Sequence, residues 1–217
     1  MRTIEGVLFE PVGCLAEFGW KEFNEITASV FGKKKKATKS GSEAYWQLLD
    51  LMQKADKDLT ADEKKTAEGL EIKAVDGAQV YEDVVPALSQ LKAMGIKLLI
   101  ASSLSEAAIE RFLEKSSLKE FFSGIWNRDN SGGVMSVPLS KAMQSANFDP
   151  VHVMSLADTE EGLNVATEVG ANSILMINDY DDGRRLAMHP PTGGIVSLAE
   201  LPDAIRLVAE NAKVTQS

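Results

Sequence analysis

The feature that most constrains this chain is an alternation of short, β-rich apolar runs with stretches of helical period. Thr3–Phe9 (TIEGVLF) is the first run and is broken by Pro11 and Gly13. Ile96–Ala101, His152–Ala157, Asn172–Ile177 and Gly194–Ser197 are the later ones. Between them, Asp83–Met94 carries Val84, Leu88 and Leu91 at three-to-four spacing, with Pro86 tolerated in its first turn. Glu106–Lys115 carries Ala108, Ile109, Phe112 and Leu113. Thr159–Val169 is closed by Gly170, and Leu201–Ala209 opens with Pro202. Near-continuous apolar strands separated by helices predict an α/β fold, a doubly wound parallel sheet covered on both faces.

Residues 16–80 depart from the alternation. They contain no convincing strand, only the helical stretches Phe18–Phe31, Ser42–Ala55 and Thr60–Ala74. Such a segment is too long for a crossover, so it reads as an inserted helical cap subdomain with junctions near Leu15 and Gln79. The expected division is a core of residues 1–15 and 80–217 and a cap of 16–79. With 217 residues, 44% hydrophobic and 25% charged, the chain can bury a sizeable core. A net charge of −9 argues against nucleic acid and anionic membranes as partners, because such a surface repels phosphates. Cys14 is the only cysteine, which excludes an intramolecular disulfide and a Cys-based zinc site. No apolar run approaches the ~20 residues that cross a bilayer, and the first residues lack a signal-peptide pattern. A cytoplasmic protein is expected.

Ligands of open parallel sheets bind beyond the carboxyl ends of the strands. That rule selects Glu10, Ser102 and Asp158. Two carboxylates side by side raise each other's pKa unless a cation lies between them. A hydroxyl next to the helix start near Ser105 suits an anion. Together these residues describe a site for a phosphate and a magnesium ion.

Four segments now carry a resemblance: Gly6-Val-Leu-Phe, Val80–Ser103 (VYEDVVPALSQLKAMGIKLLIASS), Asp149–Asn172 (DPVHVMSLADTEEGLNVATEVGAN) and Gly193–Ile205. In order and spacing the chain resembles the haloacid dehalogenase superfamily, in the helical-capped branch of the phosphoglycolate phosphatases and β-phosphoglucomutases. The resemblance implies a Rossmann-like core, phosphate-ester hydrolysis and Mg2+ held by Glu10, the Val12 carbonyl and Asp158.

The catalytic motifs depart from that pattern. Where the family has D-x-D-G-T, with a nucleophilic and an acid/base Asp, this chain reads Glu10-Pro11-Val12-Gly13-Cys14. Glu at the nucleophile position moves the carboxylate about 1.5 Å outward, a displacement of the size that costs about 10²-fold. Val12 transfers no proton, a contribution worth about 10²–10⁴-fold. Ser102 matches the phosphate-binding Ser/Thr. Val137 stands where a Lys precedes Pro138, with Lys141 about one helical turn on as a partial substitute. In the G-D-x-x-x-D motif Asp158 is kept and Gly162 replaces the second Asp; Glu161 beside it points about 100° away.

Three readings follow. The first is a catalytically impaired homologue that binds a small phosphorylated or anionic ligand, or a partner protein. The second is a weak Mg-dependent phosphatase with Glu10 as nucleophile, Ser102 on phosphate and Asp158 on the metal. The third is a 2-haloacid dehalogenase, which needs no acid/base Asp but does need the Lys that Val137 replaces. Each residue also has a plainer role available: Glu10 as a polar loop residue, Asp158 as the N-cap of the next helix, Ser102 as a turn or cap hydroxyl. Cys14 reads as a buried inert thiol, His152 as structural, and Lys33–Lys36 as a solvated loop. Trp20, Phe23, Tyr45 and Trp46 read as cap packing, with the lining of a substrate entrance as the alternative. His189 is given no role.

Overall fold

In the computed structural model, residues 3–33, 38–55, 59–178 and 192–214 are described. Strand β1 (Gly6–Phe9) leads through a tight Pro11–Cys14 turn to the two-residue β2 (Ala16–Glu17). Helices α1 (Trp20–Phe31), α2 (Gly41–Lys54) and α3 (Ala61–Gly77) follow, then β3 (Gln79–Val80), antiparallel to β2. The chain continues as α4 (Val84–Ala93), β4 (Lys97–Ala101), α5 (Glu106–Ser116), β5 (Gly124–Trp126), the short α6 (Arg128–Ser131) and α7 (Ser136–Ala146). It closes with β6 (Val153–Ala157), α8 (Glu160–Glu168), β7 (Asn172–Met176), β8 (Gly193–Ile195) and α9 (Leu201–Val214).

Six strands form one parallel sheet in the order β5-β4-β1-β6-β7-β8, flanked by helices, as the alternation requires. Every residue of β1, β6 and β7 is buried, which explains their mainly apolar character, with Ser155, Asn172 and Ser173 as buried polar exceptions. Because β1 lies between β4 and β6, the chain ends following these three strands emerge side by side. Glu10, Ser102 and Asp158 are thereby brought to one edge of the sheet.

The helical insert is tied down at its root by β2 and β3, and its helices start from built caps. Ser40 accepts from the Glu43 N–H, and Thr60 and Glu63 cap each other's backbone reciprocally. Phe23, Ile26, Tyr45 and Leu49 belong to the same continuous apolar cluster as Leu8, Phe9 and Phe112 of the α/β core. A run of aromatic contacts crosses the seam, from Phe112 to Phe18 (5.9 Å), Phe18 to Phe23 (6.2 Å) and Phe23 to Tyr45 (5.2 Å). The insert is therefore packed onto the sheet rather than standing off it.

The expectation of no strand within residues 16–80 is corrected by β2 and β3, two-residue strands at the ends of the insert that are too short to carry a pattern. α6, β5 and α7 were not expected either. β5 is three half-buried residues at the sheet edge, too short to carry a pattern, and its place is set by pairing with Leu99–Ala101. α7 carries Pro138 in its first turn, where a proline leaves no hydrogen bond unmade. Among the described residues no helix is long and apolar enough to cross a membrane.

Candidate active site

Glu10 sits at the carboxyl end of β1, buried with 9% of its surface exposed. Ser102, at the end of β4, donates to Glu10 Oε1 at 2.6 Å and accepts from the Leu104 N–H at 3.2 Å. Its hydroxyl thus supports the turn and the carboxyl at once. Tyr45, fully buried on α2 of the cap, donates to Glu10 Oε2 at 2.9 Å. The Ser103 N–H reaches the Tyr45 hydroxyl at 3.0 Å and Glu10 Oε2 at 3.4 Å. The Val12 N–H lies 3.5 Å from Oε1. Despite these donors, burial dominates and pushes the Glu10 carboxyl up to about 7.

Tyr45 is the residue that sequence reasoning placed elsewhere. Its hydroxyl occupies the small cradle formed by Glu10, Ser102 and the Ser103 N–H, the cradle expected to hold an anion. No spacing marks Tyr45 as special, because it shares its helix face with ordinary core residues.

Trp46 follows with a second intrusion. A Cβ built at Gly162 would meet Ala157 Cβ at 2.9 Å and Trp46 Cζ2 at 3.3 Å, so the indole stands where a side chain at 162 would project. The space left above Glu10 is a cavity of only about 10 Å³, walled by Trp46, Met135, Leu139 and Ser155, which is room for one water at most. Trp46 Nε1 is buried without a hydrogen-bond partner among the described residues. Lys141, offered as a substitute cation, is exposed on α7, and Leu139 is the residue of that helix that reaches the cavity. Cys14 is buried, its thiol pushed up by burial and by Asp158 and Glu10. His152 Nδ1 lies 3.3 Å from Glu5 Oε1, away from the cradle. Lys34–Lys36 and His189 lie outside the described residues.

Asp158 lies beside the Pro11–Cys14 turn. It accepts from the Ser42 hydroxyl and, at 3.3 Å, from Asn178 Nδ2, which also donates to the Gly13 carbonyl at 2.8 Å. A Cβ at Gly13 would fall 1.9 Å from Asp158 Oδ2, and Gly13 has φ +75°, so only glycine fits this approach. The N-cap alternative for Asp158 is corrected: Thr159 caps α8, accepting from the Gly162 N–H at 3.2 Å. Burial raises the Asp158 carboxyl to about 7.

These groups do not fit a magnesium ion. Mg2+ takes near-octahedral oxygen donors, several waters among them and one or two carboxylates with a lone pair turned to the ion. Here both oxygens of Glu10 are engaged by Ser102 and Tyr45, and Asp158 is engaged by Ser42 and Asn178. Burial raises both carboxyls toward their neutral forms, and the cavity at Glu10 has room for one water at most. Among the described residues no group of three His, Cys, Asp or Glu side chains could hold a metal.

Charged residues fasten the cap over this site. Arg128 Nη1 and Nη2 grip Glu71 of α3 at 2.6 and 3.1 Å, and Nη1 also donates to the Ser103 carbonyl at 3.2 Å. Glu71, 1% exposed, accepts the Ser105 N–H at 3.0 Å as well. Lys115 Nζ donates to the carbonyls of Val75, Asp76 and Ala78 at the end of α3, and Arg111 Nε lies 2.8 Å from Asp76 Oδ1. The readable signal was Glu71 itself, a carboxylate on the face that Ala67, Ala74 and Val75 bury.

Comparison with known proteins agrees with the fold. The model of the haloacid dehalogenase-like hydrolase family matches residues 19–176. The enolase-phosphatase E1 of Enterobacter sp. (strain 638) is 29% identical over 108 residues, 48% of this chain and 47% of that protein. The enolase-phosphatase E1 of Xylella fastidiosa (strain M23) is 29% identical over 130 residues, 58% of this chain and 56% of that one. The chain therefore spans about half the length of the curated relatives it matches. Among solved structures, CbbY from Rhodobacter sphaeroides in complex with phosphate superposes with a TM-score of 0.67 at 20% identity, covering 92% of this chain and 96% of that one. A haloacid dehalogenase-like hydrolase from Streptococcus pneumoniae gives 0.68 at 14% identity, covering 93% and 98%.

Proposed function

Because the chain belongs to the haloacid dehalogenase-like hydrolase family, we propose that it is a member in which phosphate-ester turnover is impaired and which acts by binding a small phosphorylated or anionic ligand, or a partner protein. The observation that carries this reading is the Tyr45 hydroxyl lodged between Glu10 and the Ser103 N–H. A transferring phosphoryl group needs those same donors, free and aimed at its oxygens. A ligand would have to displace a fully buried tyrosine held by the Phe23 and Trp46 contacts. Val12 offers no proton to a leaving group, and the uncharged Leu139 and Met135 face Glu10 where a cation would neutralise charge. Losses of such parts are not additive, yet they all fall on the same step.

A second reading, a weak Mg-dependent phosphatase, draws on the contact of Glu10 with Ser102 at 2.6 Å and on the phosphatase names of the relatives. It requires an opened cap. The dehalogenase reading is disfavoured by Val137 and by the exposure of Lys141. Incubation of the pure protein with para-nitrophenyl phosphate and a panel of sugar phosphates, with and without magnesium, separates the first two. The expected result is no release that disappears in Glu10→Gln; ordinary turnover lost in that variant overturns the proposal. Metal-free halide release from a 2-haloacid would select the third reading.

A further inference from the structure

A second cavity lies along the seam between cap and core and is lined by Arg128. Its volume is about 740 Å³, within the range of about 300–1,000 Å³ that holds small organic ligands. Neither Glu10, Tyr45 nor Ser102 lines it. Its apolar wall comes from Met52 and Leu59 of the cap and Val134 of the core.

The charges around it are unequal in their freedom. Arg128 is committed to Glu71 and the Ser103 carbonyl. Asp129 Oδ2 accepts the Glu106 N–H at 2.8 Å, at the start of α5. Lys64 and Lys65 of α3 make no ion pair among the described residues and stand exposed at the cavity, where the described carboxylates are the half-buried Glu68 and the exposed Asp129. Among the described lining residues Lys64, Lys65 and Arg128 face Glu68 and Asp129, one positive charge in excess on a chain of net charge −9, beside an apolar wall.

We propose that this cavity binds an organic anion, a carboxylate or phosphate monoester carried on an apolar chain, with its charge on Lys64 and Lys65 and its chain on Met52, Leu59 and Val134. The site rests on the ligand-binding reading above and gives that ligand a place apart from the filled cradle. Since both cap and core line the cavity, an occupant also holds the seam closed.

Calorimetric titration of the whole chain with hexyl phosphate, hexanoate and hexan-1-ol tests the assignment. At least one of the two anions is expected to bind, and whichever binds tighter identifies phosphate or carboxylate as the preferred head. Hexanol is expected to bind at least about tenfold more weakly, because it leaves the lysines unpaired. The exposed double variant Lys64→Glu/Lys65→Glu, which preserves helix-forming residues, is expected to weaken anion binding by about tenfold or more. Equal binding by that variant, binding of hexanol as tight as of the anions, or no binding at millimolar concentration overturns the site. So does anion binding lost in Ser102→Ala but kept in the lysine variant, which would move the ligand to the Glu10 cradle. Hydrolysis of hexyl phosphate that depends on Glu10, with binding still weakened by the lysine variant, would sink the impaired-turnover reading and leave this site standing.

Discussion

Replacing Glu10 by Gln should stabilise the protein above neutral pH. The carboxyl is buried, and burial raises it from 4.5 to about 7. In the unfolded chain it ionises near 4.5, whereas in the folded chain it stays protonated until about pH 7. Its contribution to stability is therefore fully present below pH 4.5 and is lost as the pH rises to 7, with stability falling throughout that window. A difference of about 2.5 units at 1.36 kcal/mol each amounts to about 3 kcal/mol lost by pH 8. Gln has the shape of the protonated acid and escapes that loss. Its NH2 must face one of the two long backbone contacts, Val12 N–H or Ser103 N–H, which forfeits part of the gain and leaves about 2 kcal/mol. Urea unfolding of both proteins between about pH 4.5 and 8.5 measures this directly. Asp158 shifts in the same direction in both proteins, so the difference between them isolates Glu10. At about pH 4.5 the variant should be the less stable by about 1 kcal/mol, the part forfeited at its NH2. The curves should then cross, so that by about pH 8 the Glu10→Gln variant is the more stable by about 2 kcal/mol. A variant less stable than wild type at that upper pH, or a gap independent of pH, refutes the reasoning.

Other substitutions probe the parts around it. Glu71→Ala strands the Arg128 guanidinium and the Ser105 N–H, so urea unfolding should register a loss of about 3–5 kcal/mol. Tyr45→Phe keeps the ring and removes the hydroxyl; it should cost about 1–3 kcal/mol in the same assay and raise the Glu10 carboxyl further, because a donor that lowers it is gone. Gly162→Asp restores a carboxylate to that position but collides with Ala157 and Trp46; it should lower the melting temperature, and adding Trp46→Ala should recover less than all of the loss because the Ala157 contact remains.

The sheet was legible because its inner strands are buried on both faces and so keep near-continuous apolar runs, as Val153–Ala157 does with Ser155 its one polar residue. Most of the helices were legible because one face of each must be apolar; α6 and α7 were not. β5 escaped for lack of length, since three residues such as Gly124–Trp126 become a strand only through their neighbour β4. The convergence of Glu10, Ser102 and Asp158 at one sheet edge followed from a rule of parallel sheets and needed no side-chain detail. What occupies that edge could not be read in the same way. Tyr45 and Trp46 present the sequence of ordinary core aromatics, and only the docking of α2 on the sheet turns them into occupants of the cleft. Gly162 carried a partial signal: its missing side chain was readable as a loss, but its use as space for an indole was not.

The central claim is that a cap tyrosine, rather than a ligand phosphate, belongs in the cradle of Glu10, Ser102 and the Ser103 N–H. The most direct measurement follows the backbone amide resonance of Ser103 in 15N-labelled protein titrated with orthophosphate in the presence of magnesium. The resonance should stay in place up to millimolar phosphate, its N–H already held by the Tyr45 hydroxyl. A saturable shift of that resonance, abolished by Ser102→Ala, would contradict the claim.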